Sequence, residues 1–147
     1  MNQEFALAQM NLVKVLHPLD HPAMQEFVDQ LDYVNSLAEK ADGFIWRYTS
    51  EHDVYEEDIL LNMSVWTSVE ALHKFVYSGE HLDVLKQGAK WTQRIKGDST
   101  VLWWIRNYDF PSDRDAKARM DHLWAHGATE FAFTFAKPFP LPNSATS

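Results

Sequence analysis

The apolar residues of this chain change period in a fixed order, and that order narrows the fold more than any single motif. Phe5 to Val13 is a short apolar run whose polar members, Gln9 and Asn11, stand two apart, which is the period of a strand. From Pro22, a residue tolerated in a helix's first turn, Met24, Phe27, Val28, Leu31, Val34 and Ala38 recur at spacings of three and four. That is one helical face, and Gly43 follows it as a stop. Phe44 to Thr49, aromatic and β-branched, predicts a second strand, and Ile59 to Trp66 a third. Between them Glu51 to Asp58 carries five acids in eight residues, the composition of a solvated loop. Thr67-Ser68-Val69-Glu70 has the capping-box pattern that opens a second helix, with Leu72, Phe75 and Val76 inward. Ser78-Gly79 breaks it, and a further helical stretch is expected from His81 to Ile95.

After a Gly97-Asp98 turn, Thr100 to Asn107 is the strongest strand pattern in the chain. Pro111-Ser112 starts a third helix, in which Ala116, Met120, Leu123 and Trp124 form a stripe ended by Gly127. Phe131, Phe133 and Phe135 alternate with smaller residues as a short last strand, and Pro138, Pro140 and Pro142 forbid its continuation. The order β-α-β-β-α-β, then α and a short β, predicts a ferredoxin-like antiparallel sheet of the α+β class with helices on one face. One domain over residues 1–142 is expected, with 143–147 as a disordered tail. The second face of such a sheet must also be buried, and the expected solution is a symmetric homodimer, a dimeric α+β barrel.

Composition excludes several kinds of function. Thirteen basic against 21 acidic side chains give a formal net charge of −8, so neither nucleic acid nor an anionic membrane is an expected partner. No basic leader precedes the first strand and no apolar run approaches the roughly 18 residues of a membrane span, so a cytoplasmic location is expected. Cysteine is absent, which removes disulfides, thiolate metal sites and a cysteine nucleophile. The five glycines are never closer than nine residues, so no Rossmann fingerprint or P-loop is present, and neither H-E-x-x-H nor G-x-S-x-G occurs. His122 and His126 have the i, i+4 spacing that lets two imidazoles share a metal, but His122 lies nearly opposite Met120, away from the apolar stripe. No metal and no cofactor are therefore expected.

Polar residues inside the strands point to a site. Gln9 and Asn11 share a face, as do Asn62, Ser64 and Trp66, and as do Trp104 and Arg106, while Arg47 is set against Trp46 and Tyr48. If these sets face the same way, one surface carries Asn11, Arg47, Asn62, Ser64, Trp66 and Trp104. Groups of this kind must pair with each other, with water or with a ligand. They form either a polar network at a wet interface or the lining of a pocket. His81, just after the Ser78-Gly79 break, is placed at the mouth of any cavity between the second helix and the sheet, where an imidazole serves as acid or base. Trp91 is placed to wall the same cavity or to pack in the core, and Trp103 and Trp124 are assigned to the core.

The segments Leu7-Ala8-Gln9-Met10-Asn11, Gly43-Phe44-Ile45-Trp46-Arg47, Asn62 through Leu72, Phe75-Val76-Tyr77-Ser78 through His81, Trp91, Leu102-Trp103-Trp104 and Ala132 to Phe135 resemble, in order, the domain of unknown function 3291 family. The resemblance departs at Asn107 to Phe110, where a glycine-containing turn is expected. More distantly, Trp66-x-Ser68-x-x-Ala71 leading to His81 resembles the antibiotic biosynthesis monooxygenase branch of the dimeric α+β barrels. That resemblance implies a cofactor-independent oxygenase, or a cyclase or isomerase, acting on an apolar aromatic or polyketide-like small molecule. His81, Arg47 and Asn62 are the implied catalytic groups. Asn11, Ser64, Trp66, Trp91, Trp104, Trp46 and Tyr77 are the implied substrate-binding groups. A non-catalytic ligand-binding or stress-associated dimer is the alternative, and a heme-binding protein the third. In the heme-degrading relatives the axial histidine falls near Leu85 of this sequence, not at His81, so ligation by that route is not implied.

Overall fold

In the computed structural model, which describes residues 4–49, 54–79, 88 and 90–142, the first strand is the keystone of the sheet. β1 (Phe5–Val15) is buried on both faces because helices lie on both sides of it. A 3-10 turn at Pro22–Met24, capped by the His21 side chain, leads into α1 (Gln25–Lys40). β2 (Phe44–Arg47) and β3 (Ile59–Trp66) follow, then α2 (Val69–Val76), capped by Ser68 through the Ala71 N–H, one residue after the Thr67 that the T-x-x-E pattern puts at the cap. β4 (Thr92–Gln93), β5 (Thr100–Arg106) and α3 (Asp113–His126) complete the order. A full capping box between Ser112 and Asp115 opens α3, and Gly127 closes it.

All pairings are antiparallel. β3 lies on one side of β1, with β2 outside it, and β5 lies on the other side. This is the ferredoxin-like order expected from the sequence. β4 extends the β5 edge, pairing Thr92 with Val15 and Gln93 with Lys14. The helical stretch expected to reach Ile95 therefore stops before Thr92, because the polar Thr92–Gln93 pair joins the ladder that Lys14 and Val15 leave open. Residues 80–87 and 89, His81 among them, lie outside the described residues.

The expected last strand is reduced to one bridge. Phe133 and Leu102 exchange both backbone bonds, at 2.8 and 2.9 Å. Turns closed by Ala132 on Thr129 and by Lys137 on Thr134 flank it, so only Phe133 runs extended.

The register fixes the two faces. Ala6, Ala8, Met10, Met63, Val65, Val101 and Trp103 form one, packed against Ala116, Met120 and Leu123 of α3. Leu7, Trp66 and Leu102 lie on the other, with Leu72 of α2 and Ala38 of α1. The face that the sequence argument left for a second copy is thus covered by the chain's own third helix. Arg119 of α3 lies 3.8 Å over the Phe131 ring and donates to the Phe131 carbonyl, holding the segment that follows the helix. Burial pushes its guanidinium below its ordinary pKa, with Asp115 opposing. Trp124, expected in the core, is exposed along Gly97 and donates to the Asp98 carbonyl at 2.7 Å. Tyr108 carries a φ of 70° in the turn where the family resemblance calls for glycine. No described helix is long and apolar enough to cross a membrane.

Candidate functional site

Between the sheet face of Gln9 and Trp66 and the inner sides of α1 and α2 lies a cavity of about 560 Å³. That volume suits a small organic molecule. Its walls are apolar: Phe27, Leu31 and Val34 come from α1, Leu72 and Phe75 from α2, and Phe135 from the C-terminal segment. Its floor is polar, and the register explains why. Asn11 pairs with Asn62, Gln9 with Ser64 and Leu7 with Trp66 across β1 and β3, so four polar residues from two strands meet on one surface. A larger depression along residues 92–99 is open and gathers no comparable set of buried polar groups.

The floor is a chain of hydrogen bonds. Gln9 Nε2 donates to Ser64 Oγ at 2.7 Å and to Asn62 Oδ1 at 3.2 Å. Trp66 Nε1 donates to the same Ser64 Oγ at 2.8 Å, and Asn62 Nδ2 donates to Asn35 Oδ1 at 3.3 Å. Gln9 and Ser64 are both buried, so the network is fixed by the cost of leaving either unpaired. Gln9→Leu is expected to destabilise the fold by about 1 to 3 kcal/mol, since it strips Asn62 Oδ1 of this donor, and urea unfolding reads the loss directly. At the rim, Arg47 of β2 donates through Nε and Nη2 to one oxygen of Glu39 on α1, at 3.2 and 3.0 Å.

The structure brings Asn11, Arg47, Asn62, Ser64 and Trp66 to this cavity, and it places Trp46, Trp91, Trp104 and Tyr77 outside the described lining. Trp46 lies on the opposite face, paired with Val65 and stacked on Phe110 at 4.8 Å. A register shift between Phe44 and Trp46 is the reason, because one extra residue in β2 turns the following side chain over. Trp104 shares the face of Trp66 but packs on Phe133 and donates its indole N–H to the Phe139 carbonyl. Trp91 is core, against Phe27 at 5.8 Å and beside Val15 and Met24. Tyr77 is half exposed and packs on His73. His81 lies outside the described residues.

Two floor residues escaped the sequence reading. Gln9 was placed on the right face but given no role, and Asn35 was missed. The signal for Asn35 was present, since an asparagine four residues after Leu31 and three before Ala38 sits within the apolar stripe. His122 packs at a tilt against His126 at 4.6 Å and Phe131 at 4.9 Å, and among the described residues no cluster of three metal-ligating groups occurs. The described lining contains no histidine, and His81, through which the heme alternative would bind, lies outside the described residues.

Comparison of folds gives the class first. The structure of SnoaB, a cofactor-independent oxygenase from Streptomyces nogalater, superposes with a TM-score of 0.50 at 14% identity, over 74% of this chain and 97% of that one. A Nitrosomonas europaea protein provisionally assigned as an antibiotic biosynthesis monooxygenase gives 0.53 at 8% identity, over 76% and 98%. A conserved protein of Methanosarcina mazei gives 0.53 at 15%, over 70% and 93%. At these identities the shared property is the fold alone, a ferredoxin-like α+β unit. Among curated protein sequences nothing matches. The family itself follows from the sequence: the profile of the domain of unknown function DUF3291 matches residues 6–147, and the chain belongs to that family.

Proposed function

We propose that this protein is a small-molecule enzyme that needs no cofactor and acts on an apolar aromatic substrate, as an oxygenase or as a cyclase or isomerase. The observation that supports this most is the cavity, with an amide and hydroxyl floor under aromatic and aliphatic walls. An aromatic ring fits between Phe27, Phe75 and Trp66, and its carbonyl or phenolic oxygen then lies over Asn11 and Asn62. Side-chain amides fixed by a network stabilise an oxyanion without reorganising, which is where most of such a catalyst's effect arises. His81 is the proposed proton acceptor, removing the phenolic or α-carbon proton, and the resulting electron-rich anion reacts with dioxygen or rearranges. SnoaB, with the same fold, is a cofactor-independent oxygenase. We further propose that the protein works as a homodimer. With α3 covering one sheet face, the part-buried patch of Trp46, Tyr48 and Phe110 is the surface proposed for the partner among the described residues.

A second reading, a binder without chemistry, draws on a specific feature of the floor. The side-chain N–H groups of Gln9 and Trp66 donate to Ser64 and Asn62, which is also how a purely structural network looks. Oxygen uptake and product analysis with anthrone-type hydroxyaromatics separate the two. On a turned-over substrate, Asn62→Ala is expected to lower kcat about 100-fold while leaving the fold intact. Full activity in both Asn62→Ala and His81→Ala would remove the proposed catalytic set, and binding without turnover across the panel would favour the binder.

A further inference from the structure

The charge pattern of the cavity rim carries a statement about the ligand, and it rests on reading the cavity as a ligand site. The chain has 21 acidic residues, yet none lines the cavity among the described residues, and Arg47 is the one charged side chain that does. That cation is held only loosely. Its Nε and Nη2 both donate to a single oxygen, Oε1 of Glu39, leaving Nη1 outside the pair. Glu39 sits in the last turn of α1 with its side chain half exposed at 50%, while Arg47 is exposed at 24%. An ion pair with one partner so open to water contributes little and exchanges readily.

We propose that Arg47 anchors the anionic group of an aromatic ligand, a carboxylate or phenolate, and that Glu39 holds this place at the cavity rim until the ligand's anion replaces it. A guanidinium suits the role because it stays charged at every working pH and offers paired N–H donors in one plane. An anion arriving from the cavity side meets Arg47 against the apolar walls, where attraction is screened less than on the solvent side occupied by Glu39. The ligand's rings then lie toward Phe27 and Phe75, with its second polar group over Asn62. Arg47 is thereby the residue that selects anionic over neutral aromatics.

The matched probes are anilinonaphthalene sulfonate and phenylnaphthylamine, the same ring system with and without the anionic group, titrated by fluorescence against the full chain. Arg47→Gln is expected to weaken the sulfonate about tenfold and to leave the neutral probe within about twofold. Glu39→Gln is expected to tighten the sulfonate about threefold, an effect that vanishes when Arg47 is also changed to Gln. Arg47→Lys keeps the charge and is expected to retain most of the preference. If the neutral probe binds and sulfonate affinity ignores positions 39 and 47, this inference is overturned and the cavity reading survives. If neither probe binds the unmodified protein, the cavity reading fails and this inference with it. Should Arg47→Gln lose both probes, Arg47→Lys decides: a kept preference for the sulfonate supports the anchor, and a lost one overturns it.

Discussion

Trp66→Ala is expected to cost about 3 to 5 kcal/mol of stability, the range for truncating a large buried aromatic. The ring is 1% exposed and ends β3 where the sheet meets both inner helices. It meets Phe44 edge-on at 5.5 Å and stacks with Phe75 of α2 at 5.3 Å, so one side chain ties β2, β3 and α2 together. Its indole N–H also supplies Ser64 Oγ with one of its two buried donors. Removing it opens the floor of the cavity and leaves the walls to collapse only in part. Urea unfolding should show a midpoint lower by roughly 2 M with little change in slope. Trp66→Phe keeps most of the apolar area and loses mainly the hydrogen bond, so about 1 kcal/mol of loss beyond its packing change is expected. A loss below about 1 kcal/mol for Trp66→Ala would mean that the ring does not join these elements.

Gly43→Ala is expected to be the second large effect, at least about 2 kcal/mol, although it adds a single methyl group. Gly43 has a φ of +89°, a conformation that side-chain-bearing residues adopt with strain. The added carbon would lie 2.5 Å from Ala71 Cβ and 2.7 Å from Thr67 Oγ1. Neither neighbour can yield cheaply, because Thr67 N–H is bonded to the Gly43 carbonyl at 2.8 Å and Ala71 N–H to the Ser68 cap. The clash would push α2 away from the start of β2 and with it Leu72 and Phe75, the walls of the cavity. Thermal unfolding of Gly43→Ala beside Gly127→Ala checks the argument, since no atom lies within 4 Å of a methyl group placed at Gly127. Both positions carry positive φ, so the difference between them isolates the steric part; equal losses would refute it.

Much of the fold was legible because β1, α1 and β3 each show one period cleanly. Phe5 to Val13 is an apolar run with Gln9 and Asn11 two apart, Met24 to Ala38 follows the helical repeat, and Ser112 caps the helix that its position announces, while Ser68 caps α2 one residue later than the T-x-x-E pattern has it. The legible part of the site has the same origin. Gln9 shares a face with Asn11, and Asn62 with Ser64, because strand parity is a property of each strand alone, while the register of β1 on β3 brings the two sets to one side. What failed were positions where a neighbour overrides local pattern. Thr92–Gln93 reads as helix until the free edge of β1 offers it a ladder. The alternation of Phe131, Phe133 and Phe135 predicts a strand, but turns on both sides leave a single bridge. Trp46 and Arg47 keep the opposite parity that adjacent strand residues must have, and the register shift of β2 against β3 decides which of the two faces the cavity.

The tryptophan surplus divides along the same line. Sequence placed Trp66 on the pocket face by parity and Trp103 on the other, and both stand there fully buried. It could not tell that Trp104 and Trp91 pack beside the cavity instead of lining it, because that depends on where Phe139 and Phe27 arrive from distant segments. By itself, then, the sequence determined the order of β1, α1, β2, β3, α2, β5 and α3, the α+β class, the family, and which polar residues within each strand share a side, since each follows from local period, caps and motif. Only the tertiary structure decided that α3 covers the second face, that Gln9 joins Ser64 to Asn62, and that Arg47 meets Glu39 at a cavity rim. Those are contacts between segments far apart in the chain, and strand register and helix docking, which no local pattern encodes, set them.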